Sequence, residues 1–187
     1  MFKNEGVAGE ILAQKIIYTG PIFKLSKQKI KTPDGLTVDR DLILHQDAVT
    51  VLAFTPDQHV LINTEYRVGV NAESLSLPAG LINEGETPVM AAKRELQEET
   101  GFQAHQIEVM TTVTPSSGFS SEKVILVLAR IDAVPTAQRH FDADEYVNSQ
   151  LIRYEHLKEL IQHNRVRAAQ AVAAVGYYEM FYKNRPI

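Results

Sequence analysis

The hydrophobic pattern changes period part-way along the chain. Up to about Glu65 it is the pattern of strands. Lys15–Thr19 and Ile22–Lys31 carry β-branched and aromatic residues between turn signals. Thr32-Pro33-Asp34-Gly35 predicts a turn, and its Asp-Gly pair suits the positive φ angles of a tight hairpin. Leu36–His45 should then return antiparallel to Ile22–Lys31. Ala48–Phe54 is almost wholly apolar or β-branched, as a strand buried on both faces is. Thr55-Pro56-Asp57 turns the chain, and His59–Glu65 follows as a further strand.

The helical period first shows near Thr87-Pro88, a good N-cap followed by a proline at the first helical position. Val89, Ala92 and Leu96 recur at helical spacing and should face a core. Gly101 supplies the C-terminal glycine. Two strands, Ile107–Val113 and Lys123–Ile131, enclose the loop Pro115–Glu122. A long polar loop is expected over Asp132–Glu145. Helices near Tyr154–His163 and Val166–Tyr182 close the pattern, the second with a packed Ala-rich run. Strands mixed with a few helices place the chain in the α+β class or in an α/β sandwich. Residues 1–45 form an N-terminal antiparallel β annex of the kind that pairs with a second subunit, and residues 46–187 form the main domain.

Composition narrows the function classes. The chain has 187 residues, 44% of them hydrophobic and 22% charged, which suits a folded globular protein rather than a disordered one. Nineteen basic and 23 acidic side chains leave a net charge of −4. Such a balance gives no general attraction to nucleic acid or anionic lipid. With no cysteine, zinc–thiolate sites, Fe–S clusters and thiol nucleophiles are excluded. No run approaches the ~20 apolar residues that cross a bilayer, and the first ten residues lack a signal-peptide core. A soluble, cytoplasmic protein is expected. The six histidines are scattered without metal-ligand spacing and are expected at the surface.

The chemistry concentrates between Gly80 and Phe102. Glu95, Glu98 and Glu99 stand at i, i+3 and i+4 and share one helical face, with Arg94 four residues before Glu98. Like charges at that spacing repel, and a solvated acidic surface is the plain reading. A divalent cation turns the repulsion into binding, because Mg²⁺ takes carboxylate oxygens and leaves room for phosphates. The flanking residues decide between the two. Gly80, five residues, Glu86, seven residues, then Arg94-Glu95-Leu96-Gln97-Glu98-Glu99-Thr100-Gly101-Phe102 resembles the Nudix box at every position. Seven of those positions demand one residue type, so chance agreement is on the order of one in 10⁸.

The resemblance implies an α/β/α sandwich of the Nudix fold and a hydrolase that uses Mg²⁺ or Mn²⁺ on nucleoside diphosphates linked to another moiety. It makes Glu95, Glu98 and Glu99 the cation ligands, joined by the backbone carbonyl of Ala79. Glu86 and Arg94 would orient them, and Gly80 and Gly101 would allow tight backbone turns. The flanks resemble the ADP-ribose and nucleotide-sugar pyrophosphatase branch: Glu65-Tyr66-Arg67, then Ser76-Leu77-Pro78-Ala79-Gly80, then Pro115 and a loop ending Phe119-Ser120-Ser121-Glu122. Arg40, Arg67, Glu122 and Phe119 are thereby implied in substrate binding, Arg40 from the annex and across a homodimer. Tyr66 is expected in the core.

Two departures stand out. Where the branch carries an acid that acts as base, this chain has Ala143 within Asp142-Ala143-Asp144-Glu145. Glu145 is then the first candidate for the base, with Asp144, Glu98 or a metal-bound hydroxide behind it. Where relatives place an acid before the last helix, this chain has Arg167. The expected activity is hydrolysis of ADP-ribose or a related nucleoside diphosphate sugar. A GDP- or UDP-sugar pyrophosphatase, and a non-hydrolytic ADP-ribose-binding sensor, are the alternatives.

Overall fold

The computed structural model describes residues 6–138 and 147–185. They form two compact units. The first runs to Gln46 and takes in Ser116–Glu122, and the second holds Asp47–Pro115 and the chain from Lys123.

In the first unit, β1 (Glu10–Thr19), β2 (Phe23–Lys31) and β3 (Thr37–His45) form an antiparallel sheet in the order β1-β2-β3. The β2–β3 connection is wider than a two-residue hairpin. Lys31 pairs with Thr37, and only Gly35 takes a positive φ, +91°. Asp34 keeps an ordinary conformation, because Pro33 fixes the turn's first φ at a negative value and the Thr32 hydroxyl donates to the Asp34 carboxylate. The loop Ser116–Glu122 lies along β3, with Ile43 N–H donating to the Phe119 carbonyl at 2.8 Å and Ser121 N–H to the Ile43 carbonyl at 2.9 Å.

The second unit is built on a mixed sheet of β4 (Ala48–Phe54), β5 (His59–Arg67), β6 (Ala72–Ser76), β7 (Ala79–Leu81), β8 (Ala104–Val113), β9 (Val124–Ile131) and β10 (Val147–Arg153). The main order is β10-β5-β4-β9-β8, with β6 beside β5 and β7 beside β4. The central pair, β4 and β9, is parallel. Both faces are covered, as the apolar run Ala48–Phe54 predicts. Val49, Val51, Ala53 and Leu61 pack with Ala91, Ala92 and Leu96 of helix α1 (Pro88–Thr100). Leu52, Phe54, Val60 and Ile62 pack on the other face, with Leu157 of α2 (Tyr154–Gln162) and Ala171, Ala174 and Tyr178 of α3 (Ala169–Phe181). This is the expected helix–sheet–helix layering.

Three strands, β6, β7 and β10, have no counterpart in the sequence reading. β6 and β7 have 5 and 3 residues, too few to show a period. β10 alternates Asn148 and Gln150 with Val147, Ser149 and Leu151, so polar residues interrupt any apolar run. The last helix starts at Ala169, three residues later than expected, and Val166 instead bridges to Leu75. The expected acidic loop is described only as far as residue 138. Asp142, Ala143, Asp144 and Glu145 lie outside the described residues. Among those described, no helix is long and apolar enough to cross a membrane.

Candidate active site

Helix α1 carries the carboxylates, and its own sequence fixes its two ends. The Thr87 hydroxyl accepts from Met90 N–H at 3.2 Å, Pro88 opens the first turn, and Gly101 ends it at φ +74° with its N–H on the Gln97 carbonyl. Burial of Ala91, Ala92 and Leu96 sets the rotation of the helix about its axis. That rotation turns Glu95 and Glu99 toward the segment Ala79-Gly80, which β7 pins against β4 through the pairs Thr50↔Ala79 and Val49↔Gly80, while Glu98 lies beside Arg94.

Arg94 organises the acidic face. Its Nε and Nη2 donate to the two Glu86 oxygens at 2.8 and 2.9 Å, a bidentate pair. Nη2 also reaches the Leu81 carbonyl at 2.9 Å. Nη1 donates to Glu95 at 2.7 Å and to Glu98 at 3.0 Å, the i,i+4 pair read from the sequence. The Arg94 hydrogen bonds and the Asn83 N–H hold the Glu86 carboxyl at about 2, well below the usual range. The Glu86 contact in turn pushes the guanidinium pKa up, so its charge is permanent.

Glu99 sits differently. Its side chain is buried, yet no cation pairs with it among the described residues. Burial, then the charges of Glu95 and Glu65, push its carboxyl up to about 9. Two donors partly offset this: the Ala79 N–H at 3.2 Å and the Asn63 amide at 2.9 Å, both on Oε2. Asn63 accepts in turn from the Ser149 hydroxyl at 2.7 Å. Sequence reading missed both Asn63 and Ser149. The available signal was strand alternation, since Asn63 and Glu65 share a face with buried Leu61.

Glu95 lies against the backbone of Gly80. A Cβ built on Gly80 would stand 2.0 Å from the Glu95 carboxyl carbon, so only glycine leaves room for that carboxylate. Glu95 against Gly80 and Glu99 on the Ala79 N–H, with Glu98 beside Glu95 on Arg94, offer only oxygen donors, the chemistry that suits Mg²⁺ or Mn²⁺. Among the described residues no three acidic or histidine side chains form a ready-made metal cage. The hydrogen bonds give the reason: Arg94 draws Glu95 and Glu98 to itself, while Asn63 and Ala79 draw Glu99. The residues fit a divalent cation in donor type and charge, and the uncompensated Glu99 is the group that such a charge would relieve.

The other implied residues divide between the units. Arg67, at the end of β5, is half exposed and donates to Glu65 at 2.5 Å. Tyr66 beside it is not core. It is exposed, with its hydroxyl donating to Asn71 at 2.6 Å, because β5 has left the packed layer by that point. In the first unit, Arg40 lies on β3 opposite Gln28, with Nη1 on the Asp39 carbonyl at 2.8 Å. Phe119 is exposed at the tip of the loop along β3, and Glu122 N–H donates to Ser120 Oγ at 3.2 Å.

A layered helix–sheet–helix unit that aims the glutamates of one capped helix at a glycine turn defines a class of protein. The NUDIX domain model matches residues 44–174, and the chain belongs to the Nudix hydrolase family. Over 169 residues it is 30% identical to the ADP-ribose pyrophosphatase of Bacillus subtilis (strain 168), covering 90% of this chain and 91% of that one. It is 29% identical to the methanol dehydrogenase activator of Bacillus methanolicus, covering 88% and 89%. The ADP compounds hydrolase NudE of Escherichia coli (strain K12) is also 29% identical, with 88% of each chain covered. The crystal structure of an ADP compounds hydrolase superposes with a TM-score of 0.80 over 94% of each chain at 24% identity, which shows the shared fold.

Proposed function

We propose that this protein hydrolyses the pyrophosphate bond of ADP-ribose or a related nucleoside diphosphate sugar, releasing a nucleoside monophosphate and a sugar phosphate. The observation that carries the reading is the acidic face of α1, with Glu95 against Gly80, Glu99 buried on Ala79 with no cation beside it among the described residues, and Glu98 next to them on Arg94. The substrate class is supported by the names of the relatives that align along most of the chain.

Glu95, Glu98, Glu99 and the Ala79 carbonyl hold Mg²⁺ or Mn²⁺ in this reading. When bound, the cation neutralises pyrophosphate charge and lowers the pKa of a water. The chain's own residues do the rest. Glu86 anchors Arg94, whose guanidinium keeps Glu95 and Glu98 side by side. Arg67 exchanges its contact with Glu65 for the diphosphate, a geometry that a guanidinium fork matches. Arg40, Phe119 and Glu122 serve the nucleoside and sugar. Proton removal from the attacking water falls to Glu145, with Asp144 and Glu98 as alternatives. Glu98 is the most exposed of the three box carboxylates.

Two copies pair in the same reading. β1 is an edge strand of ten residues, exposed along its length, with Ile11, Leu12, Ile16, Ile17 and Tyr18 all open to solvent. An apolar edge of that length favours pairing with another chain.

The test is a hydrolysis panel with Mg²⁺ over ADP-ribose, ADP-glucose, GDP-mannose, UDP-glucose, NADH and a nucleoside triphosphate, products resolved by chromatography. AMP and ribose 5-phosphate should form fastest, and Glu95→Gln should abolish them. Faster release from a GDP- or UDP-sugar moves the specificity while leaving the chemistry. Binding of ADP-ribose without cleavage makes the protein a sensor instead.

A further inference from the structure

Asn63 has no place in the box or its flanks, yet it is 1% exposed and touches a box carboxylate. Burying an amide in the layer that holds Leu61 and Leu96 is unfavourable unless its groups are satisfied. Both ends of this amide are satisfied. Asn63 and Ser149 are direct partners in the β5–β10 pairing, and the Ser149 hydroxyl donates to Asn63 Oδ1 at 2.7 Å. That contact holds the amide oxygen toward the serine. With Oδ1 taken by the serine, Nδ2 faces Glu99 at 2.9 Å, donor to acceptor. The same hydroxyl lies 3.2 Å from the Glu99 backbone carbonyl, which ties the last turn of α1 to the same pair.

The direction of the bonds on Glu99 is informative. Asn63 Nδ2 and Ala79 N–H both donate to Oε2, and Oε1 accepts no hydrogen bond among the described residues. Oε1 is not among the polar atoms buried without a partner, so this oxygen stays open while Oε2 is held. We propose that Asn63 is a positioning residue: fixed by Ser149, it holds Oε2 of Glu99 so that Oε1 is presented to the divalent cation. This rests on the reading of Glu99 as a cation ligand. It assigns a role to two residues outside the motif, one of them on a strand that the sequence does not reveal.

The test reads cation binding directly. Metal-free wild type, Glu99→Gln, Asn63→Leu and Ser149→Ala are titrated with Mn²⁺, and free Mn²⁺ is followed by electron paramagnetic resonance. Thermal melts in chelator establish that each variant is folded. Glu99→Gln should weaken binding, and Asn63→Leu should raise the Mn²⁺ dissociation constant by about tenfold or more. Ser149→Ala should raise it by about threefold, the scale of one neutral hydrogen bond. The Mg²⁺ concentration giving half-maximal turnover should rise in Asn63→Leu by the same factor as the Mn²⁺ constant, a shift that loss of general stability does not produce.

Weakened binding in Glu99→Gln with wild-type binding in folded Asn63→Leu overturns the positioning role and leaves Glu99 a ligand. Unchanged binding in Glu99→Gln overturns both. Should Asn63→Leu fail to fold, Ser149→Ala decides: a shifted constant supports the proposal and an unshifted one ends it.

Discussion

Gly80 acts by lacking a side chain. The Glu95 carboxylate occupies the space where its Cβ would be, with all three carboxyl atoms within 2.3 Å of that point. Its φ is not positive, so space rather than backbone conformation excludes other residues. Gly80→Ala should therefore displace Glu95 while leaving β7 paired to β4. We expect kcat/KM to fall at least about tenfold with the far-ultraviolet circular dichroism unchanged, the size of effect seen when ligand orientation is lost. A variant with wild-type kcat/KM would show that Glu95 needs no such closeness. The motif names this glycine from the sequence, but the reason for it appears only when helix and turn are brought together. Arg94 and Glu98 were legible as a pair four apart on one helix. Asn63 was not, because a lone polar residue in a strand carries no sign of what it will face.

Helix α1 shows how far local sequence reaches at the scale of elements. Thr87, Pro88 and Gly101 mark its ends, and each does in the structure what its chemistry requires. Thr87→Ala removes the acceptor for Met90 N–H and should lower unfolding free energy by about 1 kcal/mol. Urea denaturation followed by circular dichroism measures this, with the midpoint shifting and the slope unchanged; an unmoved midpoint would deny the cap its role. The strands were legible where apolar residues run continuously, as in β4 and β9, since burial on both faces needs no alternation. They were illegible where pairing rather than composition makes them strands. β7 has three residues and exists because β4 offers it an edge. β10 carries polar residues on both faces and is held by seven register pairs with β5.

At the scale of the whole molecule, the three-stranded sheet and the layered unit differ in what their sequences bury. The layered unit covers both faces of its sheet, while β1 leaves its isoleucines exposed. The expected outcome is a dimer by light scattering at micromolar concentration, and a monomer for the double variant Ile11→Lys, Ile17→Lys. A monomeric wild type would remove the pairing through β1. By itself the sequence determined the family, the carboxylate helix and its caps, because those depend on contacts within one or two helical turns. Tertiary structure alone decided the surroundings of Glu99. Asn63 is 36 residues from Glu99 and 86 from Ser149 along the chain; the register of β5 with β10 brings Asn63 to Ser149, and packing of α1 on the sheet brings Glu99 to both. A one-residue slip in that register would turn Ser149 to the other face, and no local preference of either strand sets it.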